Sequence, residues 1–232
     1  MPALFRRRAV LLPTAWGWLL IVAALAAAVV LPARHLGGWL SVTAPLGTAE
    51  GGPARVLVVE GWLGAHELAD AAAFARSRGY SRVLTSGGPI DEPLSPFANF
   101  ADRAAMSLRP LLPGIPVHAV PSPHTQQNRT YASAVWLRDW AQRQQLPLEA
   151  IDVYSEGPHA RRTRMLFAMA FGEGTRVGIV AGAPHDVDMQ RWWTTSDAAK
   201  SVMSESISLA WTVCCFWPPP RGSHEERWAV PP

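Results

Sequence analysis

From Ala9 to Ala33 the chain carries no charged residue, and Trp16–Leu31 is apolar almost throughout. About 20 such residues suffice for a helix to cross the hydrocarbon core of a bilayer. The run therefore divides the chain before any other feature is considered. Residues 1–9 read as a basic N-terminal segment, 10–33 as one transmembrane helix, 34–53 as a linker, 54–217 as a folded domain and 218–232 as a mobile tail. Arg6, Arg7 and Arg8 precede the run and a lone Arg34 follows it, which orients the N-terminus to the cytoplasm and the domain outside it. Trp16, Trp18 and Trp39 suit interfacial depths. A cleaved signal peptide, with small residues at Ala26–Ala28 and Ala33, is the competing reading; both export the domain.

Charge narrows the function. The first carboxylate is Glu50, so removing Arg6–Arg8 from 21 basic residues leaves 18 against 18 acids. A neutral domain lacks the basic face that nucleic acid requires. The two cysteines, Cys214 and Cys215, are adjacent. They imply no disulfide framework and no zinc site, and their apolar setting reads as buried, inert thiols.

Past the linker, short apolar runs alternate with helical patterns. Strands are expected at Arg55–Val59, Arg82–Thr85, Pro116–Val120, Ile151–Tyr154 and Arg176–Ala181. Helices are expected at His66–Arg78, Asn99–Leu108, Arg129–Gln144, Pro158–Phe171 and Thr195–Trp217. Fully apolar strands separated by helices require a parallel sheet covered on both faces. The fold class is α/β: one doubly wound, Rossmann-like domain with a mainly parallel sheet of about five strands, preceded by one transmembrane helix.

In such sheets ligands bind beyond the carboxyl ends of the strands, where strand order switches. Five loops fall there: Glu60–Gly64, Ser86–Gly88, His124–Thr130, Ser155–His159 and Gly182–Asp188. Glu60, directly after the first strand, is placed to act as a general base or to cap a helix. Ser86, Gly87 and Gly88 offer a hydroxyl and approachable backbone N–H groups. Asn128, Arg129 and Thr130 open a helix that could present Arg129 to an anion, or simply be capped by Asn128. Ser155–Arg162 is a strand-to-helix turn with Pro158 suited to the first helical position. It sets His159 and Arg162 beside free N–H groups, a place for an anion. Asp186 and Asp188 with His185 could bind a divalent cation but lack a third assured ligand; no motif requires a cofactor. Trp192-Trp193 reads as core.

This order of motifs resembles the SanA/ElyC/YdcF family, a domain of largely unknown function linked to the bacterial cell envelope. The resemblance rests on Val58–Gly61, Ser86-Gly87-Gly88, Asn128-x-Thr130 with its Ala-rich helix, and His159-x-x-Arg162. It also draws in Asp102 and Glu205 as site residues. Glu60 departs from the pattern, where many members carry a small residue, and Pro121–His124 replaces an acidic position. The resemblance implies a single-pass protein of the bacterial inner membrane acting in envelope biogenesis or peptidoglycan synthesis. The expected partners are that membrane and a small anionic ligand, such as a phosphate-bearing or lipid-linked precursor, with Glu60 and His159 catalytic if chemistry occurs. The alternative is a non-catalytic module that recruits envelope enzymes.

Overall fold

The computed structural model describes residues 12–46, 56–125, 127–184 and 187–227. Arg6–Arg8, the expected strand start at Arg55, and the His185-Asp186 pair lie outside the described residues. Helix α1 (Ala15–Leu40) is capped by Thr14, whose hydroxyl accepts the Gly17 N–H at 3.2 Å. Its 26 residues extend roughly 39 Å at 1.5 Å per residue. Its most apolar window has a mean hydropathy of 2.2 and is 0% buried, so the helix is long and apolar enough to cross a membrane.

The helix does not stop at Ala33, and residues 34–46 are not a free linker. Leu36 and Leu40 pack with Trp192, Val202 and Leu209. Gly37 permits this approach, because a Cβ there would stand 2.8 Å from the Trp192 ring. Trp192 donates its indole N–H to the Ala33 carbonyl at 3.1 Å. Arg161 donates to the Trp39 carbonyl at 2.7 Å and lies over the Trp39 ring, 3.9 Å from its centroid. Beyond the helix, Ala44 bridges to Ile179, and the Leu46 N–H donates to the buried Asp152 carboxylate at 2.8 Å.

The domain alternates β1 (Val56–Glu60), α2 (Ala65–Arg78), β2 (Arg82–Gly87), α3 (Phe100–Leu108) and β3 (Val117–Pro121). It continues with α4 (Arg129–Arg143), β4 (Ala150–Glu156), α5 (Ala160–Phe171), β5 (Arg176–Gly182) and α6 (Ser196–Cys215). The five strands pair in parallel in the order β3-β2-β1-β4-β5. The chain winds outward from β1 through β2 to β3, then crosses back to β4 on the other side of β1. The switch in strand order therefore lies between β1 and β4.

Period-two alternation sorts the strand residues between two cores. Leu57, Val59 and Val83 face α2 and α3 with Leu68, Ala72 and Leu108. Val56, Val58, Leu84, Ile151 and Val153 face α4 and α5 with Tyr131, Leu137, Leu166 and Phe167. Each such side chain, fully buried, contributes roughly 1.5–3 kcal/mol.

The C-terminal segment is not free as far as Arg227. Glu226 is 1% exposed. It accepts from Arg138 Nη2 at 2.7 Å, from the Tyr131 hydroxyl at 3.0 Å and from the Gly222 N–H at 2.6 Å. This pairing holds residues 218–227 against α4. Cys214 and Cys215 are exposed, not buried, and are joined as a vicinal disulfide. The core-facing side of α6 is taken by Leu209 and Thr212 instead. Of the tryptophan pair, Trp192 is in the core, while Trp193 is exposed with Arg34 over its ring at 5.6 Å.

Candidate functional site

The same alternation aims the ends of three strands at one point. Glu60 continues the Val56–Val58 face of β1, Ser86 the Leu84 face of β2, and Ser155 the Ile151–Val153 face of β4. Glu60 is paired in register with Ser86 on one side, while Ser155 stands on the strand at its other side. All three side chains therefore turn toward the start of α5. There Gly157–His159 forms a single 3-10 turn with Pro158 in its opening positions and Gly157 at φ +33°, and α5 begins at Ala160.

Glu60 is 4% exposed and bound from below. The Ser155 hydroxyl donates to its Oε2, and the Thr163 hydroxyl lies 3.3 Å from the same oxygen. Ser155 is fully buried and does not line the cavity, so it holds the carboxylate and is not a candidate nucleophile. His159 stands above. Its Nε2 is 3.7 Å from Glu60 Oε1 and 3.4 Å from the Thr130 hydroxyl, and its Nδ1 is 2.9 Å from Glu205 Oε1. Arg162 donates to both oxygens of Glu205, at 2.9 and 3.0 Å. Its Nη2 also lies 2.9 Å from His159 Nδ1. Both are donors to Glu205 Oε1, so the carboxylate, not a His–Arg bond, holds them together. Trp62 closes one side, with its ring edge-on to the imidazole at 5.2 Å.

With a carboxylate facing each ring nitrogen, His159 is an imidazolium. Burial opposes its charge, but Glu60 and Glu205 outweigh burial and lift its pKa to about 9. Burial likewise pushes Glu205 up, yet hydrogen bonds and charge from His159 and Arg162 bring it down to about 2. For Glu60 burial is again the largest effect and is overcome by His159 and Ser155, leaving the group below its ordinary value. The four groups thus form a chain of alternating charge, Glu60–His159–Glu205–Arg162, that sums to zero.

This chain forms one wall of a cavity of about 980 Å³. Across it lie Ser86, Gly87, Gly88, Ser122, Asn128, Arg129 and Ser133, while Trp62, Phe100, Ile207 and Trp211 supply apolar surface. The Ser86 hydroxyl is buried with no hydrogen-bond partner among the described residues, and a buried polar group without a partner costs stability. Asn128 caps α4, accepting the Tyr131 N–H at 3.1 Å. Arg129 is exposed on the cavity rim, where the helix dipole adds positive potential.

The expected site residues are therefore brought together with two exceptions. Asp102 is not among the cavity residues; it lies in the first turn of α3, bonded to Asn99 Nδ2 at 2.6 Å. Gly61 lies beneath the floor, donating to the Ser86 carbonyl at 2.6 Å. Arg162 reaches the cavity, but its Nε and Nη2 are occupied by Glu205, which leaves Arg129 as the cation better placed for an anion. Trp62, Ser155, Thr163 and Trp211 were not singled out as site residues from the sequence. The parity of Ser155 with Ile151 and Val153 was the available signal for one of them. Among the described residues, no group of three or more His, Cys, Asp or Glu side chains is placed to hold a metal ion.

No protein-family model matches the chain, and no curated protein matches it.

Proposed function

We propose that the protein is a membrane-anchored enzyme of the bacterial cell envelope, its domain outside the cytoplasm, that hydrolyses or transfers a phosphate-bearing group. The observation that carries the reading is His159 held between the carboxylates of Glu60 and Glu205 at the strand-order switch, beside a cavity lined by Arg129. The excess of Arg6–Arg8 over Arg34 supports the orientation. The likeness of the motifs to the SanA/ElyC/YdcF family supports the arena.

In hydrolysis, Glu60 takes a proton from the attacking water as its oxygen bonds to phosphorus. The bond from phosphorus to the leaving oxygen breaks, and His159 Nε2 gives that oxygen its proton. Transfer of the proton from Glu60 to His159 restores the pair. Near neutral pH both groups are in the required form, which general acid–base catalysis demands. Ser86, the Gly88 backbone and Arg129 hold the anion.

The test is turnover of a panel of phosphomonoesters and pyrophosphates by the full chain in detergent, compared with Glu60→Gln and His159→Gln. Turnover that falls above about pH 9, and is lost in both variants, supports the reading. Activity retained in both variants refutes it. The mutual saturation of the four charges favours a second reading, a binding module that recruits envelope enzymes. That reading predicts ligand binding with no turnover by the wild type.

A further inference from the structure

Helix α6 has three faces. Ala198, Val202 and Leu209 pack with Leu36, Leu40 and Trp192 on the side of α1. Glu205, Ser208 and Trp211 turn to the cavity. Beyond the exposed Lys200, which begins it, the remaining face carries Met203, Ile207, Ala210 and Cys214 at about 100° per residue. All four are exposed, Ile207 by 69% and Met203 by 54%. No charged residue occurs from Ser206 to Pro220. A helix with this outward face has apolar surface that none of the described residues covers.

Ile207 and Trp211 also line the cavity, so the stripe and the polar site form one continuous surface. Trp211 lies between the stripe and Ser204 and Ser208 on one flank, and Val213, also exposed, lies beside Ser206 on the other. An apolar stripe that opens from a polar cavity suits an aliphatic chain whose polar head sits in that cavity.

We propose that the ligand is an amphiphile, with its phosphate head at Ser86, Gly88 and Arg129 and a single aliphatic chain laid from Trp211 and Ile207 along the outer face of α6. This deepens, and rests on, the anionic-ligand reading above.

The probes are ethyl, butyl, hexyl and octyl phosphate, with octanol as the uncharged control. Binding is measured by calorimetry to the full chain in nanodiscs, with empty nanodiscs subtracted to remove partitioning. Each methylene buried on α6 tightens binding roughly fourfold, so affinity climbs steeply from ethyl to octyl phosphate. Ile207→Ser and Met203→Ser each flatten that slope. Because the slope is a ratio within one variant, a general loss of folded protein does not imitate the effect. If no member of the series binds, the anionic-ligand reading fails and the amphiphile with it. If all bind with equal affinity, the anionic reading stands and the amphiphile is refuted. Octanol binding as tightly as octyl phosphate, or a steep slope unchanged in both variants, also overturns the proposal.

Discussion

The stability of the domain should carry the signature of His159. Its pKa is about 9 in the folded protein against 6.5 without the structure. A group raised in this way stabilises the fold fully below pH 6.5, and that contribution disappears as pH rises through 9. A shift of about 2.5 units corresponds to about 3 kcal/mol at 1.36 kcal/mol per unit. The depressed pKa of Glu205 reports the same contact from its other partner and is not added. The assay is urea unfolding of the α/β domain, in the full chain held in detergent, at pH 6 and pH 10, for wild type and His159→Gln. Contributions common to both proteins cancel in the comparison. Wild type should lose about 3 kcal/mol more than the variant over this interval. Parallel losses would mean that His159 is not held as an imidazolium, and the acid role assigned to it would fall as well.

Three further outcomes follow from other contacts. Glu226→Ala removes the acceptor that Tyr131 shares with Arg138, which keeps Asp139, and should cost about 1–3 kcal/mol; urea midpoints that match wild type would show that the C-terminal segment is not bound. Gly61→Ala puts a Cβ against the Phe100 and Ser86 carbonyls, both backbone. It should destabilise by roughly 1–3 kcal/mol, and an unchanged melting temperature would contradict the packing. Arg161→Ala removes both the hydrogen bond and the cation over Trp39. Hydrogen exchange at Leu36–Leu40 should then quicken by at least about tenfold, the equivalent of about 1.4 kcal/mol, with little change in the strands.

The sheet was legible because parallel strands buried on both faces leave continuous apolar runs. Each expected strand lies within a residue or two of the observed one. Their position at the carboxyl ends of strands also put Glu60 and Ser86 at the cavity. What local pattern could not show was partnership across the chain. Glu205 entered only by resemblance, and its hold on His159 and Arg162 depends on how α6 crosses the domain, which its own periodicity does not specify. Gly37-Gly38 reads as a linker by composition, yet Gly37 is there for close approach to Trp192. Glu226 lies in a proline-rich, charged tail that looks unstructured until Arg138 and Tyr131 are seen to face it. Asp102 is bonded to Asn99, three residues before it, and is not among the cavity residues.

The docking of α1 has a consequence for reach. A twenty-residue flexible tether would let a domain sample heights over roughly 25 Å. Here Arg161 on Trp39, Leu36 and Leu40 against α6, and Ala44 on β5 remove that freedom. With α1 in a bilayer the cavity would work at one fixed height and tilt, like a gauge set to a single depth. It would select among otherwise similar ligands by where their head groups sit along the membrane normal. Lengthening α1 by four residues would shift that depth by about 6 Å and rotate the mouth by about 40°.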